Sequence, residues 1–210
     1  MNSQTIAIFP TPLMVIDNPN PLSMTEYNFI KEHENKNKEL MNVGSLNEIS
    51  KSSYILDSPE LANLKEFCQQ GVNKFTSEIY SATEDELNIT ISWINIVRSG
   101  RAVFPHKHKN AVLSGVYYYE STEDFPLAFE TPLENNVDYS VVNDYNPFNS
   151  EEYTVSSPGN QLILFPSWLR HRVINNTSST RSGSVAFNTF LKPNKDYGFH
   201  YNKTLVNIKE

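Results

Sequence analysis

The spacing of the apolar residues changes near residue 88, and this change divides the chain into a helical part and a strand-rich part. Before it, one set of apolar residues recurs at helical spacing and predicts a helix with one face on the core. This set is Leu61, Leu64, Cys68, Val72, Phe75 and Ile79. Ser58 and Pro59 precede it and predict where the helix begins, with Ser58 as the cap. A more polar helix is predicted over residues 23–41, and an opening strand over residues 5–17.

After residue 88 apolar and polar residues alternate with the period of a strand. Five strands are predicted in "NITISWINIV", "AVLSGVYYYE", "PLAFET", "NQLILF" and "GSVAFNTFL". Residues 133–155 form a long polar insertion, typical of a lid over a binding site. Helices followed by short strands predict a mainly β (α+β) fold: a double-stranded β-helix, or jelly roll, with N-terminal helices packed on one side. One domain over residues 1–210 is expected from the length.

Composition narrows the classes of partner. The net charge of -7, from 24 acidic and 17 basic residues, argues against nucleic-acid binding. No apolar run approaches the roughly 20 residues that span a bilayer, so no membrane partner is expected. The single cysteine, Cys68, excludes an internal disulfide and favours a reducing compartment, which predicts a cytoplasmic protein.

Three of the five histidines form a candidate metal site. In "FPHKHKN", His106 and His108 are separated by one residue, so in an extended chain both side chains project to the same side. His171 follows an apolar strand in "LILFPSWLRHRV". Imidazoles from two strands can form one face of an iron(II) site, although "FPHKHKN" could also be a basic surface loop. His33, among charges on the polar helix, and His200, near the C-terminus, are assigned surface or structural roles.

The order of these segments resembles that of the 2-oxoglutarate/Fe(II)-dependent oxygenases. "SWINIVRSGRAVFPHKH" places a strand and a glycine before the first histidine, and "AVLSGVYYY" supplies a tyrosine-rich strand. "PGNQLILFPSWLRHRV" reaches the distal histidine, and an arginine follows ten residues later. More narrowly, "HKHKNAVLSGVYYYE" and "NQLILFPSWLRHRVINN" are similar to an oxygenase family common in phages and marine bacteria, and "IFPTPL" fits its first strand. The resemblance covers nearly the whole chain.

The resemblance implies a metal site and an activity. Iron(II) would be held by His106, His108 and His171, and 2-oxoglutarate would be its cosubstrate. The implied reaction couples 2-oxoglutarate decarboxylation to hydroxylation of a substrate, either a small molecule or a peptide, in a bacterial or phage-infected cytoplasm. A homodimer is left open.

The resemblance also implies a cosubstrate pocket. Arg181 matches the cation that clamps the distal carboxylate of 2-oxoglutarate, a task that suits a planar guanidinium. Asn95 matches an amide that contacts the cosubstrate, and Tyr117 or Tyr119 could line the same pocket. The alternatives are a surface role for Arg181 with Arg172 as its rival, a structural role for Asn95, and core packing for the tyrosines.

Two departures from the family pattern leave the cosubstrate open. No Asp or Glu occurs between His106 and Asn110, although most relatives carry a carboxylate at the position of His108. In "RSGSVAFN", Gly183 takes the place of a serine, so either the strand bulges there or the hydroxyl is not used. Three hypotheses follow: a 2-oxoglutarate oxygenase, a three-histidine oxygenase independent of 2-oxoglutarate, and a metal-binding jelly roll without turnover.

Overall fold

The computed structural model describes residues 1–36, 38–40, 47–82, 86–121, 125–133, 143–174, 181–193, 195–197 and 204–206. Its two α-helices are α1 (Met24–Lys36) and α2 (Ala62–Tyr80). The strands before the period change are β1 (Met14–Asp17), β2 (Lys38–Leu40) and β3 (Glu48–Ser50). Those after it are β4 (Leu87–Arg98), β5 (Val103–His106), β6 (Leu113–Glu120), β7 (Leu127–Glu130), β8 (Glu152–Val155), β9 (Gln161–Pro166), β10 (His171–Val173), β11 (Arg181–Leu191), β12 (Lys195–Tyr197) and β13 (Thr204–Val206).

These strands form two facing sheets and a separate hairpin of β12 and β13. The larger sheet has the order β1-β9-β6-β11-β4-β3-β2, and the smaller one has the order β5-β10-β7-β8. Neighbouring strands pair antiparallel, and the chain passes back and forth between the two sheets from β4 to β11. This is the predicted jelly roll, with both N-terminal helices packed on the larger sheet.

Two apolar cores lie on opposite faces of the larger sheet, because side chains alternate between the faces of a strand. On β11, Val185 and Phe187 point to the helices, where they meet the apolar face of α2. Ile79 is the exception on that predicted face, since its side chain is exposed. The second core fills the space between the sheets. It consists of Val97, Tyr118, Phe125, Leu127, Phe129, Ile163, Phe165, Leu169 and Val173.

The N-terminal elements begin later than predicted. The opening strand is confined to Met14–Asp17, where it pairs with β9. Ser58 does not cap α2, because two 3₁₀ turns precede the helix and the Ser58 side chain makes no capping hydrogen bond. The buried carboxylate of Glu26 instead accepts a hydrogen bond of 3.1 Å from the amide of Leu64. A side chain distant in sequence therefore accepts a hydrogen bond from a free backbone amide in the first turn of α2. The local sequence could not indicate this partner.

Three strands of the smaller sheet were not predicted. The strands β5, β8 and β10 have only three or four residues, too few to show an alternation of their own. The strand β8 lies inside residues 133–155, which were predicted to form a lid. The residues of β8 are therefore part of the smaller sheet and not of a lid. Residues 134–142 of the predicted lid lie outside the described residues, as does His200. In the described part of the chain, neither helix combines the length and apolar character needed to cross a membrane.

Candidate metal centre

The pairing of two short strands brings the predicted histidines together. His106 ends β5 and His171 opens β10, and the two are direct partners across the antiparallel pair. His108 lies two residues beyond β5, where its amide donates a 3.0 Å hydrogen bond to the Ser167 carbonyl. One ring nitrogen from each histidine lies within 4.8 Å of those of the other two. The sequence prediction that these residues converge is thus met, and metal binding by them stays a prediction.

Backbone carbonyls fix which ring nitrogen two of these histidines present. Nδ1 of His106 lies 2.8 Å from the Phe104 carbonyl oxygen, and Nδ1 of His171 lies 2.9 Å from that of Leu169. A carbonyl can only accept a hydrogen bond, so in both rings Nδ1 carries the proton. The lone pair is then on Nε2, which is left free to bind a metal.

Aromatic side chains enclose the cluster on its inner side. The His171 ring lies 4.6 Å from the Phe165 ring and 6.2 Å from the Phe129 ring, and Trp93 lies 5.7 Å from His108, between centroids. Burial, and to a smaller extent the electrostatic interaction with His106, lowers the pKa of His108 to about 4 and that of His171 to about 3. Both imidazoles are therefore neutral at pH 7, which is the form that binds metal ions.

The donor set suits a transition metal without a carboxylate ligand. Among the described residues, the group that could hold an ion contains the three histidines and no Asp or Glu. No acidic residue from elsewhere in that part of the chain takes the missing carboxylate's place. Imidazole nitrogens are suitable ligands for iron, zinc, copper and nickel, so a set of three histidines fits iron(II).

A row of side chains leads from the histidines to solvent across the smaller sheet. His106, His171, Phe129 and Tyr153 are successive partners on β5, β10, β7 and β8, so all four project from the same face. Tyr153 is 64% exposed on the edge strand. With strands spaced by about 4.8 Å, its backbone lies roughly 10 Å from that of His171. Sequence analysis missed Tyr153, because β8 was placed in a loop.

Arg181 is directed away from the histidines. It begins β11 and shares the helix-facing side with Val185 and Phe187. Its guanidinium donates to Glu34 at 2.9 and 3.1 Å and to Glu120 at 2.6 and 3.3 Å. Because Glu34 lies on α1, these bonds join the helix to the sheet. The structure therefore gives Arg181 two carboxylates of the protein as partners.

The tyrosines proposed for the pocket also face the helices. The Tyr117 hydroxyl donates to Asn160 at 2.8 Å, and the Tyr119 hydroxyl donates to Glu34 at 2.6 Å. Both side chains pack in or against the helix-side core. Tyr118, between them, projects into the space between the sheets, and burial raises the pKa of its hydroxyl. The alternation along β6 separates Tyr118 from Tyr117 and Tyr119 in the sequence, but the pairing with β9 and β11 decides which of them faces the other sheet.

Asn95 and Arg172 are placed on opposite sides of the barrel wall. Asn95 lies on the same face of β4 as Trp93 and Val97, which turns it toward the space between the sheets. There its Oδ1 accepts a hydrogen bond from Asn47. Arg172 adjoins His171 but points to the outer face, where it donates to Glu152 at 3.0 and 3.2 Å. Neither arginine considered for the cosubstrate clamp therefore faces the histidines.

Gly183 marks an irregularity in the pairing of β11. The register against β6 shifts between Gly183 and Ser184, so the bulge considered from the sequence is present. A Cβ at Gly183 would lie 2.6 Å from the ring of Tyr119, closer than carbon atoms approach. Glycine at this position lets Tyr119 reach Glu34 beside Arg181.

Comparisons with known proteins agree with this architecture. Residues 91–188 match the model of a family described as "Putative 2OG-Fe(II) oxygenase". No curated protein sequence matches the chain.

The fold is also similar to solved structures at low sequence identity. The non-heme alpha ketoglutarate dependent carbocyclase SnoK from nogalamycin biosynthesis has 13% identity and a TM-score of 0.60, over 89% of this chain and 82% of that one. A Pseudomonas putida prolyl-4-hydroxylase has 10% identity and a TM-score of 0.58, over 85% and 92%. HygX from Streptomyces hygroscopicus, crystallised with nickel, 2-oxoglutarate and hygromycin B, has 11% identity and a TM-score of 0.57, over 85% and 82%. Residues 91–188 thus match a 2OG-Fe(II) oxygenase family model, and the solved structures show that the chain has the same fold as proteins that use 2-oxoglutarate.

Proposed function

We propose that this protein is an iron(II)-dependent oxygenase that hydroxylates an organic substrate with 2-oxoglutarate as cosubstrate. The convergence of His106, His108 and His171 within 4.8 Å, inside the segment that matches the family model, carries the proposal. Iron(II) bound there supplies the redox chemistry by which molecular oxygen oxidises the substrate while 2-oxoglutarate is decarboxylated.

The chain's own residues supply position and a dry environment. The carbonyls of Phe104 and Leu169 orient the rings of His106 and His171, so that both leave Nε2 free for a metal. Phe165 covers the inner side of His171 and excludes water from it. These contacts hold the ligands before any metal arrives, which lowers the cost of binding.

Neutral hydrogen-bonding groups on the larger sheet are candidates for contacting 2-oxoglutarate. Tyr118 and Asn95 project into the space between the sheets, on which the histidines also border. A phenol and an amide can each donate a hydrogen bond to a carboxylate. This pocket differs from the one that the resemblance implies, because Arg181 is engaged by Glu34 and Glu120.

The substrate is proposed to approach over the edge strand β8. The row from His171 through Phe129 to Tyr153 provides an aromatic surface that begins at the histidines and ends in solvent. The similar structures include a carbocyclase and a prolyl-4-hydroxylase, so the fold alone leaves the type of oxidation open.

Anaerobic reconstitution with iron(II) and 2-oxoglutarate tests the proposal. We expect a visible charge-transfer band from the bound cosubstrate and, after oxygen is admitted, succinate formation. Alanine at His106, His108 or His171 should abolish both signals, whereas His33→Ala, on helix α1, should keep them. Iron binding that survives all three alanine substitutions would contradict the proposed site.

A second candidate is a three-histidine oxygenase that does not use 2-oxoglutarate. Two observations favour it: the group contains no carboxylate among the described residues, and Arg181 is held in ion pairs on the other face of the sheet. Oxygen consumption that needs iron but not 2-oxoglutarate, with no succinate formed, would select this candidate over the first.

A further inference from the structure

His108 differs from the other two histidines in what its Nδ1 contacts. Within the described residues, its hydrogen-bonding partner is the side-chain amide of Asn188 on β11, with Nδ2 at 3.3 Å, and not a backbone carbonyl. Asn188 is buried, at 5% exposure, and its Oδ1 accepts a 2.7 Å hydrogen bond from the Ser114 hydroxyl. The tautomer of His108 therefore depends on the orientation of one amide.

The two orientations of that amide have opposite consequences for metal binding. If Nδ2 faces the ring, it donates to Nδ1, so the proton of the neutral ring is on Nε2 and Nε2 cannot bind a metal. If the amide is rotated by half a turn, Oδ1 accepts a proton from Nδ1, and Nε2 becomes a ligand. Oxygen and nitrogen of an amide have nearly the same shape, so the surrounding packing permits both orientations.

A closed ring of hydrogen bonds supports either orientation. The Ser114 hydroxyl lies 2.8 Å from the Ser167 hydroxyl, and the Ser167 carbonyl accepts the amide of His108. Ser114 and Ser167 are both buried. A hydroxyl can donate or accept, so Ser114 can bond to either end of the Asn188 amide. The ring thus fixes the positions of Asn188 and His108 while leaving the direction of its protons adjustable.

We propose that Asn188 is the positioning residue that makes His108 a metal ligand, with its Oδ1 accepting the proton of His108 Nδ1 when metal is bound. The proposal rests on the metal site of the proposed function. A ligand carboxylate needs no such selection, since either of its oxygens can bind. An imidazole in that position must present one nitrogen of two, and His106 and His171 obtain this selection from backbone carbonyls.

Two substitutions separate an acceptor role from a donor role. Asn188→Asp keeps an acceptor beside Nδ1 and removes the amide donor, so metal affinity should equal or exceed that of the wild type. Asn188→Leu has a similar size and no polar atom, so affinity should fall by roughly ten- to a hundredfold, as for other partners of metal ligands. Ser184→Ala, at another buried position of β11, is the control and should not change affinity.

Metal titration and nitrogen NMR provide the readouts. Iron(II), without oxygen, and zinc(II) are titrated into each variant after its circular dichroism has shown a folded protein. In the wild-type zinc form, ¹⁵N spectra should show a protonated Nδ1 and a metal-bound Nε2 for His108. A His108 bound through Nδ1 would overturn the proposal without any variant. Equal losses in Asn188→Asp and Asn188→Leu, or unchanged affinity in Asn188→Leu, would do the same.

The failure of the inference is distinguishable from the failure of the proposed function. If His106→Ala and His171→Ala abolish metal binding but Asn188→Leu does not weaken it, the metal site is supported and the proposed role of Asn188 is wrong. If the wild-type protein binds neither iron(II) nor zinc(II), both the proposed function and the role of Asn188 are wrong.

Discussion

Replacing Arg181 by methionine distinguishes a structural role from a cosubstrate role for this residue. The substitution keeps most of the side chain's length and removes its charge. In the structure the guanidinium bonds to Glu34, whose side chain is 3% exposed, and to Glu120, which is 37% exposed. Its loss leaves the buried Glu34 carboxylate with Lys31, at 3.2 Å, and the hydroxyl of Tyr119.

The expected cost follows from the burial of Glu34. Removing one partner of a buried ion pair destabilises a protein by about 3–5 kcal/mol. Because Lys31 remains beside Glu34 and Arg181 is 22% exposed, we expect about 3 kcal/mol, at the lower end. For a chain of 210 residues this corresponds to a decrease in Tm of roughly 6–12 °C. Adding Glu34→Gln removes the stranded anion and should recover part of the loss.

Urea unfolding of the metal-free protein and 2-oxoglutarate titration of the iron form measure the two roles separately. We expect Arg181→Met to lose stability while 2-oxoglutarate affinity stays within about threefold of wild type. Arg172→Met is the matched control, since its pair with Glu152 is on the partly exposed outer face and is worth about 1 kcal/mol or less. The family resemblance predicts the reverse result. Unchanged stability with a tenfold or greater loss of 2-oxoglutarate affinity would refute the structural argument.

Three further results are expected. The folded state holds the pKa of His108 at about 4 and that of His171 at about 3, below the unfolded value of about 6.5. Between these values the unfolded state binds more protons, so the metal-free protein loses stability as the pH falls from about 6.5 to about 4 for His108 and to about 3 for His171. At pH 5 the loss is about 2 kcal/mol per histidine; urea unfolding of a His108→Gln, His171→Gln double variant should show a correspondingly flatter pH dependence, and an equal slope would contradict this. Gly183→Ser should destabilise the fold by about 1–3 kcal/mol, because its Cβ meets the Tyr119 ring, and a thermal scan without a decrease in Tm would argue against that contact. Tyr118→Phe should weaken 2-oxoglutarate binding by roughly two- to tenfold and leave iron affinity unchanged, whereas unchanged cosubstrate affinity would remove Tyr118 from the pocket.

The sequence by itself determined the elements that are long enough to carry a period. The apolar face of α2 and the long strands β4, β6 and β11 follow from spacings of residues that are close in the chain. The histidine candidates were also accessible, because "FPHKH" and "FPSWLRH" are local motifs with a recognisable order.

Tertiary structure decided which of the candidate residues share a face. The direct pairing of His106 with His171 depends on two strands of three and four residues, which exist because their neighbours in the sheet supply hydrogen bonds. Arg181, Tyr117 and Tyr119 had suitable chemistry, but the register of β11 and β6 turned them toward the helices. Side chains alternate with a period of two, so a slip or bulge of one residue moves each of them to the other face. Local sequence does not encode that register, because it is set by the pairing of strands far apart in the chain.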